Sequence, residues 1–189
     1  NVIYPVLIKP AISRGSRGQT VCYDKSEAEK AIKIAIDESG NKEVIIEQYM
    51  EGCQDIAISY LVINGEPYIM KIGDRYLGKK EDNLDKQCIT TVSPSRHSEM
   101  YKKMVEPRVK EMIHSLGITF GPVFLQGFVD NNTVRFYDPG IRFPGGDFDL
   151  ILRDITGFDT IKTLITFAIT GNRSYIDKNP DDVYKLNGH

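Results

Sequence analysis

Cysteine is scarce: the 189 residues contain only Cys22, Cys53 and Cys88, odd in number, far apart and in no CxxC spacing. That speaks against a disulfide framework or a zinc site and leaves reduced thiols as the expectation. No apolar run approaches the roughly 20 residues that span a bilayer, and the first 25 residues carry charges where a signal peptide would be greasy. Neither sign of charge dominates, with 24 Lys and Arg against 26 Asp and Glu and a formal charge of −2. Without a basic field, nucleic acid and anionic membrane are not the expected partners, and any phosphate site has to be local. Internal repeats and low-complexity tracts are also missing. The expectation is a soluble, cytoplasmic protein, with homo-oligomerisation left open.

What is present is an ordinary globular balance, 41% hydrophobic and 26% charged, enough for one substantial core or two small ones. Val2 to Ile8 already reads as a buried strand with no methionine, cap or leader before it, so the chain is expected to be part of a longer protein. VLIK, Val6 to Lys9, and QTVCY, Gln19 to Tyr23, predict a hairpin with a long glycine-bearing tip. The segment SEAEKAIKIAIDESG predicts a helix capped by Ser26 with Glu29 closing a capping box, its face formed by Ala28, Ala31, Ile32, Ala35 and Ile36.

EVIIEQYMEG, Glu43 to Gly52, predicts a strand leaving through an acidic, aromatic bend. Residues 55 to 72 predict two strands joined at Asn64-Gly65, and residues 74 to 96 a polar, mostly irregular loop. A helix is expected from Ser98 to Leu116, with Met100, Met104, Val105, Val109, Met112 and Ile113 inward and Pro107 testing its continuity. A second hairpin turns at Asn131-Asn132. A last helix is expected from Phe158 to Gly171, with Ile161, Leu164, Ile165 and Ala168 on its face. This order suggests an α+β protein with a small lobe and a larger antiparallel lobe.

Four places could carry chemistry. Gly15 and Gly18, with Ser13 and Ser16 beside them, would let backbone N–H groups converge on an anion, although an ordinary flexible hairpin tip has the same composition. The loop is neither Walker A, since Gln19 stands where a lysine would follow, nor GxGxxG. Lys9, ending an apolar strand just before it, would aim an ammonium at whatever the loop holds. EQYMEG exposes backbone polar groups in an apolar setting, suited to the edge of a purine, with Glu47 or Glu51 accepting from an amine or a ribose hydroxyl. Gln126 and Asp138, on paired strands, could offer oxygens to Mg²⁺, and Arg142 could neutralise a transferring phosphoryl group. Asp74, Arg75 and Tyr76 either face a substrate or belong to a solvated loop.

In this order and spacing, YPVLIKPAISRGSRGQTV, IIEQYMEG and FLQGFVDNNTVRFYDPGIRFPGG resemble the lysine strand and phosphate-covering loop, the adenine hinge and the metal-binding hairpin of the ATP-grasp superfamily. Carbamoyl phosphate synthase large subunits, biotin carboxylases and many carboxylate–amine ligases belong to it. The resemblance implies an ATP-grasp fold of two lobes, each an antiparallel sheet packed by helices, at residues 1–48 and 49–189. It implies that Lys9 contacts ATP phosphates, with Ser13, Gly15, Ser16, Arg17 and Gly18 in the loop over them. Glu47, Gln48, Tyr49, Met50 and Glu51 would surround adenine and ribose. Gln126 and Asp138 would hold Mg²⁺ or Mn²⁺, and Arg142 would steady an acyl phosphate formed from a small carboxylate substrate.

Two departures bear on this. Asp138 shortens the usual glutamate by one methylene, and Gly140 replaces an asparagine that would ligate a second metal. The superfamily also places a Rossmann-like domain before the lysine strand, so the isolated chain is expected to be inactive. The alternatives are a degenerate module that binds nucleotide or a protein partner without chemistry, and a sheet-based interaction domain unrelated to nucleotides.

Overall fold

The computed structural model describes residues 2–14, 17–78, 88–146 and 148–172. They fall into two compact units, one within Asn1–Cys53 and Tyr76–Thr90, the other within Gln54–Arg75 and Thr91–His189.

The first unit holds a three-stranded antiparallel sheet in the order β2-β1-β3, made of β1 (Val6–Pro10), β2 (Thr20–Cys22) and β3 (Val44–Gln48). Alternation along β1 buries Val6, Ile8 and Pro10 and turns Leu7 and Lys9 to the opposite face. Helix α1 (Lys25–Glu38) packs on the buried face through Ala28, Ala31 and Ala35, side chains small enough to bring it close to Val6, Ile8 and Cys22. The expected apolar face is therefore present, but the cap is not Ser26. Asp24 accepts from the Glu27 N–H, and the Glu27 carboxylate accepts from the Tyr23 N–H at 2.7 Å. A carboxylate two residues earlier satisfies the first free N–H groups and carries charge suited to the positive helix end. The apolar start is not all strand either, since Val2 and Ile3 are exposed ahead of β1.

The second unit is organised by β4 (Asp55–Ile63), all nine residues of which are buried. It lies inside a five-stranded sheet of order β6-β5-β4-β7-β8, with β5 (Glu66–Leu77), β6 (Cys88–Val92), β7 (Gly121–Asp130) and β8 (Thr133–Gly140). The expected turns at Asn64-Gly65 and Asn131-Asn132 close two of its hairpins, Asn64 and Asn131 taking positive φ. Within the segment expected to be irregular, β5 runs on to Leu77 and β6 begins at Cys88, while residues 79–87 lie outside the described residues. Pairing to a sheet overrides the polar composition there.

One face of this sheet carries Ile56, Ile58, Tyr60 and Val62 against a helical run from Ser98 to Ser115. That run is α2 (Ser98–Met100), a π-helical segment (Tyr101–Val105) and α3 (Glu106–Ser115). Pro107 falls in the first turn of α3, where its missing N–H is tolerated next to the widened turn. The inward residues are Tyr101, Val105, Val109 and Ile113, and Met104 and Met112, expected inside, are exposed. Buried Tyr101 reaches the Tyr60 hydroxyl at 2.8 Å, so neither oxygen is orphaned in the core.

Part of the other face is covered by α4 (Phe148–Thr156) and α5 (Thr160–Thr170), through Leu61, Ile63, Met70, Leu152 and Phe158. Helix α5 starts at Thr160 behind the Asp159 cap and turns Thr160 and Thr163 inward; of the expected face Leu164 packs on the core, while Ile161, Ile165 and Ala168 are exposed. The Thr160 hydroxyl donates to Asp149, and that of Thr163 to the Asp159 carbonyl, so both polar groups are satisfied where they are buried. No described helix is long and apolar enough to cross a membrane.

Gly127 sits where β7 meets β8. A Cβ there would lie 2.5 Å from Val134 Cγ1 and 2.8 Å from the Arg135 carbonyl oxygen. Because the second neighbour is backbone, Gly127→Ala is expected to destabilise the native state by roughly 1–3 kcal/mol in urea unfolding. A loss within experimental error would show that the β7–β8 ladder yields at this point.

Candidate functional site

In the first unit the register pairs Leu7 with Glu47 and Lys9 with Ile45, which puts Lys9 and Glu47 diagonally on one face. The Lys9 Nζ donates to Glu47 Oε1 at 2.8 Å. Both ends of the glycine loop meet α1. The Ser13 hydroxyl donates to Glu38 at 3.4 Å, and Gly18, at φ +71°, lies so close that a Cβ would fall 2.9 Å from Pro10 Cγ and 3.0 Å from Glu38 Cβ. Gly18 is thus required by packing as well as by its left-handed backbone. The N–H of exposed Arg17 donates to the Arg14 carbonyl at 3.4 Å, while Gly15 and Ser16 lie outside the described residues.

The bend after β3 is tied to its own unit. The Tyr49 N–H donates to the Pro5 carbonyl, and that of Cys53 to the Met50 carbonyl. Glu51 accepts from the Tyr23 hydroxyl at 2.8 Å, and Gln48 ends β3 on the surface. The structure therefore brings Lys9 and Glu47 into contact and places Tyr49, Met50 and Glu51 in the next turn of chain.

In the second unit the face opposite the α2–α3 run carries a connected polar network. Register pairs Gln126 with Asp138 across β7 and β8, as a shared face requires. A bulge between Gln126 and Gly127 leaves Tyr137 without a register partner, and its hydroxyl meets Asp55 and Arg75. Arg75 Nη1 donates to Asp55 Oδ2 at 2.8 Å and to the Tyr137 oxygen at 2.6 Å, and the Tyr137 hydroxyl donates to Asp55 Oδ2 at 3.1 Å. The ring of Tyr137 stacks on Phe128. Arg142 Nη2 donates to Asp138 Oδ2 at 3.0 Å, and its guanidinium lies 4.9 Å from the centre of the Phe124 ring. A Cβ on Gly140 would come within 3.2 Å of Arg142 Nε.

The Gln126 amide is assigned from its partners: with its oxygen toward Arg75 it accepts from Nη1 at 3.0 Å and Nη2 at 3.2 Å, and its nitrogen then donates to Asp138 Oδ2 at 3.0 Å. Of the two oxygen donors implied for a divalent cation, Asp138 offers a half-exposed carboxylate, whereas the Gln126 oxygen faces a guanidinium. Among the described residues no three His, Cys, Asp or Glu side chains cluster as a metal cage. This donor set fits at most a cation that takes most of its ligands from phosphates and water.

Sequence reasoning did not find Asp55 or Tyr137, and it placed Arg75 in a loop. The available signals were an acid opening an otherwise apolar strand, DIAISYLVI, and a tyrosine directly before the candidate metal ligand. Asp74, also expected in that loop, is buried in β5, where it accepts from the Ser95 hydroxyl at 2.5 Å and pairs with Arg96.

The backbone is similar to that of a biotin carboxylase from Campylobacter jejuni in complex with β,γ-ATP, with a TM-score of 0.75 at 20% identity over 95% of this chain and 39% of that one. It is also similar to the biotin carboxylase domain of 2-oxoglutarate carboxylase from Hydrogenobacter thermophilus, in complex with MgADP, ADP and bicarbonate. That match has a TM-score of 0.69 at 22% identity and covers 92% of this chain and 38% of the other. With its two antiparallel sheets and their helices, the chain has the α+β architecture of the ATP-grasp fold.

Residues 1–137 match the family described as carbamoyl-phosphate synthase L chain, ATP binding domain, and the chain belongs to that family. A formate-dependent phosphoribosylglycinamide formyltransferase from Prochlorococcus marinus is 31% identical over 164 residues, 82% of this chain and 41% of that protein. The chain thus spans about two fifths of the length of that curated relative.

Burial raises the Asp55 carboxyl above the ordinary carboxylate range, and Arg75 and Tyr137 offset this only in part. A native pKa above the unfolded one means that the folded state keeps a proton the unfolded chain releases. The contribution of Asp55 to stability is then fullest below the unfolded pKa and is lost as pH rises through the native one. The unfolding free energy of the wild type minus that of Asp55→Asn is therefore expected to fall with rising pH across this window. A difference that rises would mean that the pairing with Arg75 outweighs burial.

Proposed function

We propose that the chain is the ATP- and Mg²⁺-binding portion of an ATP-dependent ligase that activates a carboxylate as an acyl phosphate for attack by an amine or another nucleophile. The observation that carries this reading is Lys9. It stands on the face of β1 turned away from α1, one residue before a glycine loop whose far end is packed against Pro10 and Glu38, inside the stretch that matches an ATP-binding family.

In this reading the Lys9 ammonium, now paired with Glu47, takes phosphate oxygens as charge-assisted partners, and the loop from Ser13 through Gly15, Ser16 and Arg17 to Gly18 supplies N–H donors. Glu47, Gln48, Tyr49, Met50 and Glu51 take adenine and ribose. A carboxylate oxygen of the substrate attacks the γ-phosphorus, and the bond to the ADP oxygen breaks. The nucleophile then adds to the acyl carbon and phosphate leaves. Arg142 exchanges Asp138 for the transferring phosphoryl oxygens or the acyl phosphate. A divalent cation, Mg²⁺ or Mn²⁺, would neutralise charge on the phosphates when bound. Because the chain covers two fifths of the length of its curated relative, the acceptor chemistry is assigned to the longer protein and the isolated chain is expected to be inactive.

Gly140 favours a second reading. It has no side chain, and the ideal Cβ position is closely approached by Arg142. That suits a degenerate module which binds nucleotide or a protein partner without chemistry. Acyl phosphate formation by the full-length protein with any carboxylate would dismiss that reading.

ATP with Mg²⁺ is expected to raise the melting temperature of the chain, and Lys9→Ala to abolish the rise while leaving the unliganded melting temperature within a few degrees. The Lys9–Glu47 pair is partly exposed, and such pairs contribute about 0–1 kcal/mol. No shift in a folded wild-type sample would defeat the nucleotide-binding reading.

A further inference from the structure

The two ends of the Gln126 amide meet opposite chemistry. One end lies 3.0 Å from Asp138 Oδ2, which in its ionised form can only accept, and the other lies 3.0 and 3.2 Å from Arg75 Nη1 and Nη2, which can only donate. A cation shared with Asp138 would justify an oxygen at the first end. It would leave the amide NH₂ pressed against a guanidinium at the second, donor facing donor. Only the orientation with oxygen on Arg75 and nitrogen on Asp138 satisfies both ends.

Arg75 is itself held in place. Its Nη1 also donates to Asp55 Oδ2 and to Tyr137, and the Asp55 side chain is 4% exposed on a strand buried along its whole length. Withdrawing Arg75 to make room for a turned amide would leave a buried carboxylate short of its partner, which is costly. The bulge that brings Tyr137 onto this face completes the anchor.

We propose that Gln126 is a positioning residue and not a metal ligand. Arg75, fixed by Asp55 and Tyr137, donates to the amide oxygen, and the amide nitrogen donates to Asp138. Asp138 is then the oxygen ligand that the described part of this hairpin offers to a divalent cation arriving with the nucleotide. Gly140 has no side chain to add a second, so the cation is held mainly by phosphate oxygens and water. The proposal rests on the ATP-binding reading above for the identity of the ligand, but not for the Gln126–Asp138 bond itself.

The test is NMR of the ¹⁵N-labelled chain, with the Gln126 side-chain NH₂ pair identified by its disappearance in Gln126→Ala. In the unliganded protein one of the two protons is expected downfield, bonded to a carboxylate, and Asp138→Ala is expected to return it to the ordinary glutamine range. If Asp138→Ala leaves the pair unmoved while the backbone spectrum stays folded, the inference fails. Mg²⁺ alone, ADP alone and ADP with Mg²⁺ are then added in separate titrations. The downfield proton is expected to persist in all three. Its return to the ordinary range only when Mg²⁺ is present would show that the amide has turned its oxygen to the metal, which overturns the inference. Backbone amides that do not respond to ADP would defeat the nucleotide-binding reading instead, with the Asp138→Ala comparison still deciding the inference.

Discussion

A carboxylate buried inside a sheet has to be matched by a cation, and in the second unit that requirement organises the rest of the site. Asp55 opens β4, the strand enclosed on both faces, and its charge is met by Arg75 from the neighbouring strand and by the Tyr137 hydroxyl. Removing one partner of such a pair typically costs about 3–5 kcal/mol, because the other charge stays behind without water. Arg75 is therefore fixed, its Nη1 and Nη2 both lie within hydrogen-bond distance of one end of the Gln126 amide, and the other end reaches Asp138. Asp138 and Arg142, paired at the half-exposed end of the chain of bonds, are the groups proposed to meet a ligand.

The first unit reaches a comparable end by other means. Its sheet has three strands, so only one face is needed for a core, and the alanine face of α1 covers it. The opposite face is left for Lys9 and Glu47, which compensate each other across the strands at modest exposure. In both units the cation proposed to meet phosphate oxygens, Lys9 or Arg142, is already bonded to a carboxylate. Anion binding then exchanges partners rather than uncovering a bare charge, which limits the desolvation cost on either side.

Much of this was legible in the chain itself. The hairpin turns at Asn64-Gly65 and Asn131-Asn132 were readable because positive φ is demanded at particular positions and few residues accept it. The face of α1 was readable because its apolar residues recur at helical spacing. The inward face of the Ser98–Ser115 run was readable at Val105, Val109 and Ile113 but not at Met104 and Met112, beside a π-helical turn. On α5 only Leu164 of the expected face packs on the core, buried, internally bonded threonines taking the place of its isoleucines. Strands β5 and β6 extend into a polar segment because sheet pairing, which composition does not encode, outweighs it.

For the site, the sequence by itself determined which chemical groups are present and their order: a lysine before a glycine loop, an acidic aromatic bend, and a hairpin with an amide, a carboxylate and an arginine. Order and residue type are local properties, and they suffice to place the chain in its family. Only the tertiary structure decided that Asp55 meets Arg75, 20 positions on, and Tyr137, 82 positions on, and that Arg75 presents donors to one end of the Gln126 amide while Asp138 presents an acceptor to the other. The direction in which an amide points depends on which donors and acceptors the strand register and one bulge bring to its two ends, and neither register nor bulge is written in the residues that carry the amide.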